Sequence, residues 1–331
     1  MKQQTYREQE RLKLKNLIYN TNLFNGAEFG RIIKQKGKNL RKDEILLDGN
    51  NNIYESIRND VLEYFQKNHI SFWHNASESK DNPTGHTLSS QVCCINHLFP
   101  IRQDKKTVLS IANIFCPDII DILPIPTDKY LEGYIQFEAV SDKNYLNESY
   151  KTRGSNCTSI DALIYGMHSN GKKYIMLVEW KYTEYYYNQD KSIEPKRTES
   201  KGKKRLRRYA DLIDKSQYLN ALSNYRSSVY FFEPFYQLMR QTLWAEQMIN
   251  HNDTETIKAD DYMHIHIVPS ANVQLLDKVY KPSGKNMKET WLNCLKYKEK
   301  YKIIDPKDLL KNMDERKHGA LIEYLNERYW R

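Results

Sequence analysis

Apolar positions recur along this chain at two different periods. Ile53, Ile57, Val61, Leu62 and Phe65 recur at helical spacing, which predicts an amphipathic helix over about 52–67. The same spacing returns in 87–98 through Val92, Ile95 and Leu98, with Ser89 or Ser90 as the N-cap and Pro100 as the stop. In the middle of the chain the pattern shifts to strand-like runs at 133–140, 157–165 and 173–182. Asn170-Gly171 lies between the last two runs, and Asn-Gly flanked by apolar strands is a hairpin signal. Helical spacing resumes over about 205–225 and 232–250, 262–269 reads as a last strand, and 285–331 is mostly helical. Turn-rich breaks fall at Asp48-Gly49-Asn50-Asn51-Asn52 and Asp81-Asn82-Pro83-Thr84-Gly85. The order predicts an α/β fold in three parts: a basic, helical N-terminal region at 1–80, a core at 81–272 and a helical C-terminal extension at 273–331.

Length and composition narrow the class. A chain of 331 residues suggests roughly two domains, or one large domain with elaborations. No apolar run approaches the ~18 residues a membrane span needs, and the charged start lacks the apolar segment of a secretory leader. Cys93, Cys94, Cys116, Cys157 and Cys294 are odd in number and contain no Cys-x-x-Cys, so a reducing cytoplasm is expected. The net charge of +9 fits a polyanionic partner, and fits an ordinary basic enzyme equally well. No Gly-rich phosphate loop, Gly-x-Ser-x-Gly or His-Glu-x-x-His occurs, which argues against an NTPase, a serine hydrolase or a zinc protease.

Candidate chemistry concentrates in 174–182. Alternation along a strand puts Ile175, Leu177, Glu179 and Lys181 on one face, and Tyr174, Met176, Val178, Trp180 and Tyr182 on the other. Both faces are apolar up to Val178, as in a central strand covered on both sides. Around a turn at Asn170-Gly171, Asp161 falls opposite or nearly opposite Glu179; a one-residue slip would separate them by face. Two such carboxylates repel unless a proton or cation sits between them. A few oxygen ligands completed by water and phosphate suit Mg²⁺, with Mn²⁺ as a substitute. Lys181 beside them is placed to position or deprotonate a water, so the implied chemistry is metal-assisted phosphodiester hydrolysis. A structural ion pair at a strand end is the plain alternative for Glu179 and Lys181.

Asp161 followed by Glu179-Trp180-Lys181, within this element order, resembles the PD-(D/E)XK nuclease superfamily, although Ile160 stands where that motif usually has proline. Phe72-Trp73-His74, 85–91, 179–184 and 236–241 are similar to a group of bacterial restriction endonucleases within it. The resemblance covers roughly 55–270, extends to Glu327-Arg328-Tyr329, and implies a restriction-endonuclease-like αβββαβ core with a mixed sheet. It further implies Mg²⁺-dependent DNA cleavage in restriction or anti-phage defence. Asp161, Glu179 and the Trp180 carbonyl would be metal ligands, and Lys181 would assist the water. The implied partners are DNA, duplex foremost, a second copy of the chain, and a methyltransferase or other defence-system proteins. A catalytically silent nucleic-acid-binding protein and an RNA-processing nuclease are the alternative readings.

Other residues carry two readings each. Glu138 is either a further metal carboxylate from the neighbouring strand or a paired strand-end acid. Glu184 is expected to make a structural hydrogen bond. Gln237, Arg240 and Gln241 share a helix face, pointing either at the site and phosphate or along a core–solvent boundary; Gln91 is weighed the same way. His264 and His266 share a strand face and read as core or surface histidines rather than a metal pair. Nine cations lie between Lys191 and Arg208, including Lys203, Lys204 and Arg205. They read either as a merely solvated charge run or as a phosphate-contacting loop, mobile in its early part and helical from Arg205.

Overall fold

The computed structural model describes residues 4–35, 37–74, 79–148, 157–195 and 200–330. Helix α1 (Tyr6–Asn20) is capped by Thr5, whose hydroxyl accepts from the Glu8 amide while the Glu8 carboxylate accepts from the Thr5 amide. A two-stranded antiparallel hairpin follows, β1 (Phe29–Gln35) and β2 (Lys38–Leu46). Next come α2 (Arg58–Lys67), α3 (Ser90–Leu98) and α4 (Lys105–Phe115). The strands β3 (Ile119–Ile122), β4 (Ile135–Ala139), β5 (Ile160–His168) and β6 (Lys173–Trp180) lead to α5 (Lys201–Lys215) and α6 (Phe235–Asn250). Strand β7 (Asp261–Ile267), short helices α7 (Val273–Leu276) and α8 (Met287–Leu292), β8 (Tyr301–Ile304), α9 (Pro306–Leu310) and α10 (Glu315–Leu325) complete the chain. Among the described residues no helix is long and apolar enough to cross a membrane.

The main sheet runs β3-β5-β6-β7-β8, with β4 paired to the first half of β5. Pairs on the β5 side are antiparallel, whereas β6–β7 and β7–β8 are parallel, so the sheet is mixed. Alternation divides its side chains between two cores. Ala162, Ile164, Met176, Val178 and Trp180 pack with α1, α3, α4 and α10. Leu163, Tyr165, Ile175 and Leu177 pack with α5 and α6. This double cover is what the near-continuous apolar run of β6 requires.

Several expected elements shift. The helix expected over 52–67 starts only at Arg58, after two 3₁₀ turns at Gly49–Asn52 and Glu55–Ile57. The Asn52 side chain donates to the Thr84 and His86 carbonyls and its own carbonyl accepts from Asn96 and Arg328, fixing a non-helical backbone there. The helix expected to reach 225 ends at Lys215. The first region contains a β-hairpin as well as helices, and 285–331 contributes the sheet's edge strand β8. Ser89 is the N-cap of α3, accepting from the Val92 amide.

Candidate active site

The Asn170-Gly171 turn fixes the register of β5 on β6. Gly171 has φ +81°, a conformation that glycine adopts without strain, and Ala162 pairs with Val178. One step further along the ladder, Asp161 stands opposite Glu179, and Asp161 Oδ2 accepts from the Trp180 amide at 2.7 Å. On the other edge of β5, Phe137 pairs with Ala162 and Ala139 with Ile160. Glu138 therefore flanks Asp161 from that side. Glu138, Asp161 and Glu179 form a row across three adjacent strands at one end of the sheet.

Each acid has a dedicated holder. Glu179 is buried, paired to Lys181 Nζ at 2.5 Å through one oxygen and hydrogen-bonded by the Gln241 amide through the other. Lys181 also donates to Gln237 Oε1 at 2.8 Å, and Gln237 Oε1 accepts from the Tyr186 hydroxyl at 3.3 Å. Glu138 accepts from Gln91 Nε2 and from the Ser159 hydroxyl, both at 2.8 Å. Its φ of +48° is unusual for a residue with a side chain, a local strain of the sort that clusters at working sites. A cleft of about 390 Å³ opens over this row, lined by Gln91, Glu138, Asp161, Glu179, Lys181 and Gln237.

The electrostatics follow from the crowding. Burial, then the charges of Glu179 and Glu138, push the Asp161 carboxyl well above the ordinary carboxylate range. Burial works against the Lys181 ammonium, but Glu179 beside it outweighs this and raises its pKa well above the usual lysine value. Lys181 is thus a fixed cation. Among the described residues no group of three or more His, Cys, Asp or Glu side chains is a ready-made metal cage. The donor set is instead a few carboxylates in an acid-rich cleft, which fits a hard cation that keeps most of its water.

The remaining candidates separate. Gln91, Gln237 and Gln241 reach the acids, whereas Arg240 turns to Glu148 Oε1 at 3.0 Å. Glu148 is a buried hub that also holds Thr158 and Tyr209. Glu184 lines the cleft while accepting from the Tyr182 amide at 2.6 Å. Trp180 ends β6 with its indole buried. Helix α5 begins at Lys201, capped by Ser200, with Lys203 and Lys204 exposed and Arg205 paired to Glu194 at 2.5 Å. Lys196 and Arg197 lie outside the described residues.

His264 Nε2 meets Gln241 Oε1 at 2.9 Å and His266 Nδ1 meets the Tyr301 hydroxyl at 2.9 Å. Burial pushes His264 down to about 4 and His266 well below the usual histidine value, so both are neutral core residues. With its ring nitrogen donating, His264 fixes the Gln241 amide so that its NH₂ faces Glu179. Trp73, His86 and Thr183, from the family-like stretches 72–74, 85–91 and 179–184, also line the cleft, as do Arg7 and Ser159, which no motif marks.

No curated protein and no solved structure matches the chain. A family model described as "Restriction Endonuclease associating with ARP" matches residues 12–330, nearly the whole length. The chain belongs to that restriction-endonuclease family.

Proposed function

We propose that this chain is a Mg²⁺-dependent endonuclease that hydrolyses DNA phosphodiester bonds, working in restriction or anti-phage defence. The observation that carries the reading is the row Glu138–Asp161–Glu179 across three strands, with Lys181 just past the end of the strand that holds Glu179 and paired to it. Binding alone does not need acids crowded until burial and like charge push one carboxyl well above its ordinary range. Membership of a restriction-endonuclease family supports the same chemistry and DNA as its substrate.

Asp161, Glu179 and the Trp180 carbonyl would hold the metal, with Glu138 as a further carboxylate. The cation would supply a water of lowered pKa and stabilise charge on the scissile phosphate. Lys181, cationic at neutral pH, orients the attacking water or a phosphate oxygen and leaves proton removal to another base. Gln237 holds the ammonium in place, and Gln241, fixed by His264, holds the Glu179 carboxylate. A defence role follows from the family and from no single residue.

The test is cleavage of plasmid, linear duplex and RNA by the purified chain, with and without Mg²⁺. Metal-dependent DNA nicking that is lost in Glu179→Gln is expected. Full cleavage by Glu179→Gln at the wild-type Mg²⁺ concentration, or cleavage indifferent to chelator, overturns the assignment.

A further inference from the structure

Among the described residues of β1 and β2, only Phe29 and Leu46, the pair at the root of the hairpin, pack against a core. Five successive pairs continue outward, from Arg31–Lys42 to Gln35–Lys38. At ~3.3 Å per residue they extend the ribbon by about 13 Å. Between Phe29 and Lys42 the sequence carries six Lys or Arg and no Asp or Glu. Ile32 is 67% exposed and Leu40 38%. Lysines along a free edge deter strand pairing, but that role does not need apolar side chains left in water beside them. Cations and apolar groups together fit a polyanion that also offers apolar surface.

The root of the ribbon is part of the cleft wall. The Leu46 amide donates to the Gly85 carbonyl at 2.9 Å, and the Thr87 hydroxyl donates to the Glu44 carbonyl at 2.7 Å. Ile45 bridges to His86, and His86 and Leu88 line the cleft over the acid row. A Cβ on Gly85 would stand 2.0 Å from the Leu46 carbonyl oxygen, so glycine is what permits this approach. A duplex that presents a phosphate to the acids therefore passes beside the ribbon.

We propose that the β1–β2 ribbon enters the major groove of that duplex and reads its bases. The major groove is ~12 Å wide and ~8.5 Å deep, admits a two-stranded ribbon, and is shallower than the outer pairs are long. The register gives the ribbon two unlike faces. Ile32, Asn39 and Arg41 share one, and Ile33, Lys38, Leu40 and Lys42 share the other. The first face holds a base-reading set: an Arg fork suits guanine, an Asn amide suits adenine, and an apolar side chain meets a thymine methyl. Lys38 and Lys42 neutralise phosphates flanking the groove. Arg41 pairs with Asp43 at 2.9 Å while 61% exposed, and a surface pair of this kind gives way at little cost. Lys15 stays on Asp43 at 2.7 Å when Arg41 leaves. This rests on the nuclease reading above and names the element that gives the same site its sequence selectivity.

The experiment reads binding in EDTA, where no cleavage occurs, so failure of the ribbon and failure of the metal chemistry are seen separately. Wild type, Asn39→Ala/Arg41→Ala, Arg41→Lys and Lys38→Ser/Lys42→Ser are titrated with a pool of duplexes of randomised centre and with the duplex that wild type selects from it. Wild type should select a sequence, and methylation of guanine N7, which lies in the major groove, should block the selected duplex. Asn39→Ala/Arg41→Ala should lose about ten- to a hundred-fold on the selected duplex and much less on the pool. Arg41→Lys keeps the charge without the fork, so selectivity should fall while the salt slope stays. Lys38→Ser/Lys42→Ser should weaken both probes alike and make the log–log salt dependence shallower by about two units. The outer ribbon supports no core, so far-UV circular dichroism and the urea midpoint should be those of wild type in every variant. No selection by wild type, interference at adenine N3 of the minor groove in place of guanine N7, or variants with unchanged selectivity and salt slope overturn the assignment. A fall from two copies to one in light scattering of the lysine variant also overturns it, because the ribbon would then be a contact between copies of the chain.

Discussion

The Glu179–Lys181 pair gives a prediction whose size can be worked out. The two side chains are 2.5 Å apart, and 3% and 6% exposed respectively. At an effective dielectric of ~20, unit charges this close attract by several kcal/mol, and the cost of desolvating both cancels most of it. Removing one partner is different, because the other is left buried and uncompensated, at about 3–5 kcal/mol. Lys181→Met keeps the aliphatic stem and leaves Glu179 next to two other acids, so it should fall in that range. Glu179→Gln should cost less. Once Glu179 is neutral, Asp161 loses that repulsion and takes over as the counter-charge of Lys181. The double variant should then cost about 3 kcal/mol less than the sum of the singles. Urea unfolding of the four proteins in EDTA measures the cycle. Singles within ~1 kcal/mol of wild type that simply add would place the pair among solvent-screened contacts and refute the argument. In parallel, Lys181→Met should keep DNA binding while turnover falls by orders of magnitude; a turnover loss that only follows lost binding would make Lys181 a phosphate contact.

Two further outcomes are open to measurement. Changing Lys203, Lys204 and Arg205 to Ser should weaken binding to all DNA sequences alike, with a salt slope shallower by about two units and not three, because Arg205 is already neutralised by Glu194; an unchanged slope would leave the exposed lysines merely solvated. Burial holds His97 at about 3, below its unfolded value of roughly 6.5, so the unfolded chain binds one more proton between these values. Its contribution to stability is therefore present above pH ~6.5 and lost as pH falls. His97→Gln should flatten the stability profile between pH 6 and 4 by about 1.4 kcal/mol per pH unit, and an equally steep profile would contradict this.

What the sequence disclosed was local in origin. The Asn170-Gly171 turn and two flanking apolar runs are enough to specify a register, and register alone brings Asp161 to Glu179. The Glu-x-Lys spacing of two needs only the strand period. What stayed hidden depends on distant partners. Strands β1 and β2 are rich in Lys and Arg and show no sustained apolar alternation, because only the end of β2, at Glu44, Ile45 and Leu46, is buried. Strands β3 and β8 are four residues each and exist through their pairing with β5 and β7. Gln237, Arg240 and Gln241 share a face by spacing, yet Glu148, ninety-two positions away, draws Arg240 off it. Arg7 reaches the cleft from a helix with no motif of its own.

The choice of holders around the acids has a physical logic of its own. Gln91 and Gln241 each donate to a carboxylate of the row, and Gln237 steadies the lysine. An amide donates a weaker hydrogen bond than an ammonium and carries no charge, so it orients a carboxylate without cancelling it. One lysine faces three acids, and the negative charge left over is what a divalent cation would meet. Gln91 is the position at which this can be tested, because it is half-buried and lines the open cleft. Gln91→Leu deletes the hydrogen bond to Glu138 and keeps the charge; Gln91→Lys keeps a donor there and cancels the charge. At ~6 Å and an effective dielectric of ~20, a unit charge is worth roughly 3 kcal/mol against another, and more against a divalent ion. Gln91→Lys should therefore weaken Mg²⁺ binding at least about ten-fold beyond Gln91→Leu, read from the Mg²⁺ dependence of cleavage and from calorimetric titration without DNA. If the lysine variant binds Mg²⁺ as tightly as the leucine variant, the neutrality of the holders is incidental, and the row's charge is not what recruits the metal.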